Sequence, residues 1–368
     1  MKIVHFADLH LDARFAWCGA SGNAARRRRQ ALRDTLSNIV EIARKANVDA
    51  LFCGGDLFEH GRVTPDTAAF LRSTFADLDP VRVYIAPGNH DWYGPDSIYA
   101  TEAWSENVHI FKEPRLRRVD LAEDMTLWGA AHCQPANTPD FVEGFHVSGP
   151  GVHIALFHGA ERLWFSEQGS GKSPHAPFDA GAIRRAGLRH AFLGHYHRPK
   201  FTEYHTYPGN PDPLEFGEDN NRGPVIAKIR SDGTVYRERR RARVTEAHDL
   251  ALDVSGCGHF GEVRSRLETL IEGREGIARV KIRGDLEPAV DLTEATLRDV
   301  LKQRFEAFRL QVGGLRPTYD IKVIQEEPTV RGQFVRDVLS DGLGREEIRR
   351  VLITGLRALA GRDDLDVL

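Results

Sequence analysis

Five short hydrophobic runs in the first two thirds of the chain each end in residues that bind metal ions, and this coincidence constrains the fold more than any other feature. Ile3-Val4-His5-Phe6 leads to Asp8-Leu9-His10, and Ala50-Leu51-Phe52-Cys53 leads to Gly54-Gly55-Asp56. Val81-Arg82-Val83-Tyr84-Ile85 precedes Gly88-Asn89-His90-Asp91, and His153-Ile154-Ala155-Leu156-Phe157 precedes His158-Gly159. Ala191-Phe192-Leu193 precedes Gly194-His195-Tyr196-His197. Runs of this length and composition are buried strands, and ligands at their C-terminal ends converge on one edge of a sheet, where open α/β folds place their sites.

The residue types point to a pair of divalent cations. Two cations about 3.5–4 Å apart clamp the attacking and leaving oxygens of an in-line displacement at phosphorus, and a carboxylate between them screens their repulsion. Asp56 is the candidate bridge. Asp8, His10 and His197 complete one shell, and Asn89, His158 and His195 the other. Mixed oxygen and imidazole ligands suit manganese, iron or zinc better than calcium, and the lack of thiolates argues against a closed structural zinc site. His90 is left over, placed to protonate a leaving oxygen, with Asp91 fixing its tautomer.

Each cluster alone has a plainer reading. Asp8 and His10 could be turn residues, and Gly54-Gly55-Asp56 could be a turn whose aspartate caps a helix. His195 and His197 alternate at strand spacing and so point to one face. Five such clusters in this order leave a metal site as the economical explanation. Arg26 to Arg29 precedes an amphipathic helix expected over Ala31–Lys45 and reads as a solvated face, with contact to phosphates as its alternative. Arg237 to Arg243 reads as a charged edge strand. His60, His132, His175 and His205 fit no ligand slot and are assigned to the substrate pocket, while the other histidines are structural.

The order D-x-H, G-G-D, G-N-H-D, a later H and G-H-x-H resembles the calcineurin-like metallophosphoesterases over roughly the first 230 residues. The opening H-F-A-D-L-H-L-D, G-G-D-L-F from Gly54 to Phe58 and Y-P-G-N-P-D-P-L-E-F-G-E from Tyr207 to Glu218 look most like the SbcD/Mre group of DNA repair exonucleases. Glu326 to Phe334, E-E-P-T-V-R-G-Q-F, looks like its YhaO-type branch. The resemblance implies an α/β fold with a two-sheet sandwich flanked by helices, a small α/β capping domain and a helical C-terminal tail. It implies two metal ions, manganese first, and phosphodiester hydrolysis on DNA in partnership with a coiled-coil ATPase of the SbcC type. Two other readings are a phosphodiesterase or phosphatase acting on small nucleotides or phosphoproteins, and a nuclease-fold scaffold for a DNA-bound ATPase.

A chain of 368 residues exceeds one ordinary domain. The expected division is a catalytic domain over 1–243, a capping domain over 244–328 and a helical tail over 329–368. In the cap, strands at Leu250–Val254, Ala278–Ile282 and Tyr319–Ile324 alternate with helices at Phe260–Ile271 and Thr293–Phe308. The tail carries apolar stripes at Val335, Val338 and Leu339 and at Ile348, Val351, Leu352, Leu356 and Leu359, and is a candidate docking element for the ATPase. Gln168 to Pro177 reads as a surface loop; its Gly171-Lys172-Ser173 lacks the first glycine of a P-loop. The formal charge of −3 is less basic than a typical nucleic-acid-binding module, so DNA contact would rest on local patches and on the bound cations. With no signal peptide, no run of ~20 apolar residues and four cysteines lacking a pairing pattern, the expected setting is the cytoplasm, away from membranes. DNA, the ATPase and a second copy of the chain are the expected partners.

Overall fold

A computed structural model describes residues 1–18, 23–147, 149–168, 174–288 and 290–362. Residues 169–173, the middle of the loop expected at Gln168 to Pro177, lie outside the described residues. The chain forms two compact units, one of Met1–Leu214 with Asn220–Thr245, the other of Glu215–Asp219 with the chain from Glu246 onward.

The first unit contains, in order, β1 (Lys2–Phe6), α1 (Asn23–Lys45), β2 (Ala50–Cys53), α2 (Pro65–Ala76), β3 (Arg82–Ile85), α3 (Ile98–Thr101), β4 (Val108–Ile110), β5 (Arg117–Ala122), β6 (Met125–Gly129), β7 (Val152–His158), α4 (Ala180–Arg185), β8 (His190–Gly194), β9 (Lys200–Phe201), β10 (His205–Tyr207), β11 (Val225–Ile229) and β12 (Val235–Arg239). One six-stranded sheet has the order β12-β11-β1-β2-β3-β4, the other β5-β6-β7-β8-β10-β9. β1 to β4 are mutually parallel, as are β6, β7, β8 and β10, while the outer strands β12, β11, β5 and β9 pair antiparallel.

Strand alternation explains the layers. Ile3, Ala50, Phe52 and Tyr84 point from the first sheet toward Leu127, Ile154, Leu156 and Phe192 of the second, forming the core between them. Val4, Phe6, Leu51, Cys53, Val83 and Ile85 point the other way, onto Leu32, Leu36, Ile39 and Val40 of α1 and Leu71 and Phe75 of α2. Ala155, Phe157, Ala191 and Leu193 cover the far face of the second sheet with Phe141, Phe178 and Ile183. Both faces are buried, so the strands read as continuous apolar runs. β12 is an edge strand carrying Arg237 and Arg239, but it spans Val235–Arg239, so residues 240–243 of the expected charged strand lie beyond its end.

α1 starts eight residues before the helix expected at Ala31, and the arginine run lies within it. Arg26 and Arg27 are exposed, but Arg28 is fully buried. Its Nη2 pairs with Asp212 Oδ1 at 2.5 Å and donates to the Pro213 carbonyl at 2.6 Å, and its Nη1 bonds the Thr245 hydroxyl. Asp212 also accepts from the Thr35 hydroxyl at 3.1 Å and the Val244 and Thr245 amides at 2.8 and 3.0 Å. The aspartate of the Tyr207–Glu218 motif is therefore an internal staple, and the solvated-face reading fails at Arg28.

In the second unit β13 (Ala247–Asp253), α5 (Phe260–Ile271), β14 (Ile277–Leu286), α6 (Glu294–Lys302) and β15 (Ala307–Pro317) form a parallel three-stranded sheet with β14 central, followed by α7 (Ile321–Gln325), α8 (Val330–Ser340) and α9 (Arg345–Leu359). Two expectations are corrected here. The second helix ends at Lys302 rather than Phe308, and the third strand is β15, so Tyr319–Ile324 is not a strand. A register shift lets β15 absorb Gly313-Gly314, a pair that reads as a turn in sequence. Asp320 then caps α7 by accepting from the Val323 amide at 3.1 Å. Ile324, Val335, Val338, Leu352 and Leu356 make a small core joining α7, α8 and α9, whereas Leu339 and Leu359 are exposed despite lying on the expected stripes. Among the described residues no helix is long and apolar enough to cross a membrane.

Candidate metal centre

The C-terminal ends of β1, β2, β3, β7 and β8 deliver the five clusters to one place. Gly54 and Gly194 make this possible: a Cβ on Gly194 would collide with the Gly54 carbonyl, so only glycines let the second and fifth clusters cross so closely. The backbone there is forced as well. Asp8, His10, Asp56 and His195 have φ of 56°, 52°, 51° and 111°, in the left-handed region that costs non-glycine residues about 1–3 kcal/mol each. Backbone hydrogen bonds hold it in place, donated by the Asp8 amide to the Gly55 carbonyl at 3.0 Å and by the His10 amide to the Asp56 carbonyl at 2.9 Å.

Three triads have ligand atoms all within 4.8 Å of one another: Asp8, His10 and His197; Asp8, Asp56 and His158; and His10, Asp56 and His90. Asp56 thus stands between two sets of ligands, with Oδ2 3.3 Å from His158 Nε2 and 3.7 Å from His10 Nε2. His195 falls outside the triads, which are made of aspartates and histidines alone. His195 Nδ1 is 3.3 Å from His158 Nε2, its amide donates to Asp8 at 2.9 Å, and the Asn89 Oδ1 is buried without a hydrogen-bond partner. His90 is nearer the carboxylates than its expected role requires and could share a cation with His10 and Asp56.

The hydrogen-bond roles test whether cations fit. His158 Nδ1 lies 2.9 Å from the Gly54 carbonyl, which can only accept, so Nδ1 carries the hydrogen and Nε2 of the neutral ring offers a lone pair toward Asp56. His10 Nδ1 lies 2.8 Å from Glu59 Oε1, leaving its buried Nε2 without a hydrogen-bond partner among the described residues. The centre is thus a group of lone pairs facing one another, an arrangement that calls for positive charge. The electrostatics agree. In the metal-free chain a proton supplies that charge: burial would lower the pKa of His158, but the Asp56 charge and hydrogen bond outweigh it and lift it to about 9, so Nε2 holds a proton where a cation would bind. Burial would likewise raise Asp56, yet His158, His90 and His10 hold its carboxyl well below the usual range. Burial pushes Asp8 up. Oxygen and imidazole donors with unused lone pairs fit divalent transition ions.

Glu59 is a member of the centre that the sequence motifs do not include. Its Oε1 meets His10 and its Oε2 lies 3.0 Å from His90 Nδ1, so one carboxylate orients both rings. Its signal was its place three residues after Asp56, in the same loop. Asp91 does not contact the His90 ring as expected. Its oxygens accept from the Asp56, Leu57 and Gly88 amides at 2.9, 2.8 and 2.6 Å and the Tyr99 hydroxyl at 2.6 Å, tying the second and third clusters together. His132 bonds the His158 carbonyl and the Thr138 hydroxyl, both at 2.8 Å, and so braces a ligand rather than lining a pocket. His60 stacks on Trp92 at 4.0 Å between ring centres, His175 lies 5.6 Å from His195, and His205 packs on Trp164.

Residues 1–199 match the family model described as Calcineurin-like phosphoesterase. The chain is 26% identical over 267 residues to the uncharacterized metallophosphoesterase YhaO of Bacillus subtilis, covering 69% of this chain and 64% of that protein. It is 26% identical over 300 residues to the DNA double-strand break repair protein Mre11 of Methanopyrus kandleri, covering 73% and 62%. The chain therefore spans slightly under two thirds of the length of each. The crystal structure of TT1561 of Thermus thermophilus aligns with a TM-score of 0.37 and 12% identity, over 65% of this chain and 98% of that one.

Proposed function

The chain belongs to the calcineurin-like phosphoesterases, and from that premise we propose that it hydrolyses phosphodiesters of DNA as a two-metal nuclease of repair. The observation that carries this is Asp56 standing between two groups of aspartate and histidine ligand atoms, beside His10 Nε2 and Asn89 Oδ1, which are buried with no hydrogen-bond partner among the described residues. Asp8, His10 and His197 would hold one cation, Asn89, His158 and His195 the other, with Asp56 shared and manganese, iron or zinc as the ion. Bound there, the cations supply Lewis acidity, which draws charge from phosphoryl oxygens and lowers the pKa of water toward ~7.

The chain's own groups do the rest. His90 is 44% exposed and presents one edge to a substrate, with Glu59 on its Nδ1. Burial opposes its protonation, but in the metal-free chain the Glu59 hydrogen bond and the Asp56 charge lift its pKa to about 9; with cations on Asp56 the Glu59 bond is what would keep a proton on the ring for the leaving sugar oxygen. The bond to that oxygen breaks as a water oxygen bonds to phosphorus. Asp91 acts at one remove, fixing the loops that carry Asp56 and His90. The double-strand break repair role named for the Methanopyrus relative supports DNA as substrate, and the sequence resemblance adds a coiled-coil ATPase as partner. On this reading, 244–328 is a cap, the setting is the cytoplasm, and the part of the tail left for docking is its outer surface, where Leu339 and Leu359 are exposed, since the inner faces of α8 and α9 are packed on each other.

Purified protein assayed with manganese against linear duplex DNA, single-stranded DNA and a chromogenic phosphodiester tests the proposal. Cleavage of DNA at rates above those on mononucleotide diesters is expected. Higher activity on the small diesters would move the substrate to free nucleotides while leaving the metal chemistry intact.

A further inference from the structure

We propose a second ligand site in the catalytic unit, a cavity at the N-terminal end of β8 remote from the metal ligands, which takes a mononucleotide-sized phosphate compound. The cavity has a volume of about 670 Å³, within the usual range of small-molecule sites. Arg184 and Arg189 from the segment before β8 and Arg237 from β12 line it, together with Tyr204, Glu203 and Asp232. β8 runs from His190 to Gly194. At ~3.3 Å per residue, the cavity therefore lies roughly 15–20 Å from His195 along the strand.

Charge is what makes the cavity a site. Among the described residues none of the three guanidiniums makes an ion pair, although neighbouring Arg185 pairs with Asp179 at 2.8 Å. Arg237 donates from Nη1 to the Thr202 carbonyl at 2.6 Å, the Thr206 hydroxyl at 3.2 Å and the His205 carbonyl at 3.4 Å, and its guanidinium lies over the Phe201 ring at 5.5 Å from the ring centre. Among the described residues its Nη2 and Nε make no hydrogen bond. Its uncompensated charge is felt nearby: burial first, and Arg237 second, depress the pKa of His190 to about 3 and of His205 to about 4.

The lining also selects the compound. Planar guanidinium forks match phosphate oxygens in pairs, which favours a phosphate over a carboxylate. Glu203 and Asp232 repel a lone phosphate but accept hydrogen bonds from sugar hydroxyls or base amino groups. Half-buried Tyr204 offers a flat wall against which a base can lie. Phosphate, hydroxyls and ring together make a mononucleotide.

Calorimetric titration of the full chain in a chelating buffer decides the matter, with dAMP, deoxyadenosine and inorganic phosphate as probes. Arg184 and Arg189 are exposed and make no side-chain bonds among the described residues, so an Arg184→Gln/Arg189→Gln variant is expected to fold. Saturable dAMP binding is expected in the unaltered chain, weakened about tenfold or more in the double variant, since each charge-assisted fork is lost. It should be unchanged in His158→Ala, which reports binding at the metal centre. The proposal is overturned by an absence of saturable dAMP binding, by binding that survives in the double variant, or by phosphate or deoxyadenosine binding as tightly as dAMP.

Discussion

Single residues carry the chemistry, and here the sequence was most readable where motifs were dense. Asp8, His10, Asp56, His158 and His197 come together because each sits just past a strand, and strand ends are legible. Glu59 was hidden because it occupies no ligand slot, and Arg28 because its partner Asp212 is 184 residues away. Replacing Arg28 by methionine should cost about 3–5 kcal/mol in denaturant unfolding, since Asp212 would stay buried without its cation. His90→Ala should retain bound metal while the rate falls about 10²–10⁴-fold, the range for a lost general acid; metal loss equal to that of His195→Ala would make His90 a ligand instead. The Glu59–His90 pair also predicts a pH dependence for the metal-free chain. Despite opposing burial, hydrogen bonds from His10 and His90 lower Glu59 from 4.5 to about 2, and the bond to Glu59 raises His90 from 6.5 to about 9. The stability from Glu59 is complete above 4.5 and lost as pH falls toward 2; that from His90 is complete below 6.5 and lost as pH rises through 9. Thermal melts should therefore separate the unaltered chain from Glu59→Gln most widely between those two ordinary values, and less at pH 9 and above.

Secondary elements were legible where apolar periodicity was unbroken. The strands carrying the five clusters lie where their hydrophobic runs do, because both faces of each are covered. β15 escaped because Gly313-Gly314 interrupts its pattern, and only pairing with β14 makes that pair part of a strand. The tail helices were visible as stripes, but their packing was not: α8 and α9 bury Val335 and Leu356 in a common core. Arg362, beyond α9, donates to the carbonyls of Pro288 and Val290 at 2.8 and 2.7 Å. Leu356→Ala should therefore cost about 2–5 kcal/mol, and removing the chain from Gly344 onward should destabilise the second unit itself. A truncated chain with unaltered urea unfolding would show that α9 contributes nothing to this packing and is free for a partner.

At the scale of the whole molecule, composition said least. A near-neutral chain of formal charge −3 gives no sign of a polyanionic substrate, and the charges that matter are local: cations at the metal centre and arginines at particular surfaces. If DNA is the substrate, binding should weaken steeply between low and moderate salt as neutralised phosphates release counterions, which filter binding across a salt series would show. All of this depends on one carboxylate holding two ions. Elemental analysis of the manganese-loaded chain beside Asp56→Asn and His195→Ala tests that directly. The unaltered chain is expected to hold two ions, His195→Ala to lose part of one site, and Asp56→Asn to lose the most metal together with all phosphodiesterase activity; near-stoichiometric binding of two ions by Asp56→Asn would contradict the bridge.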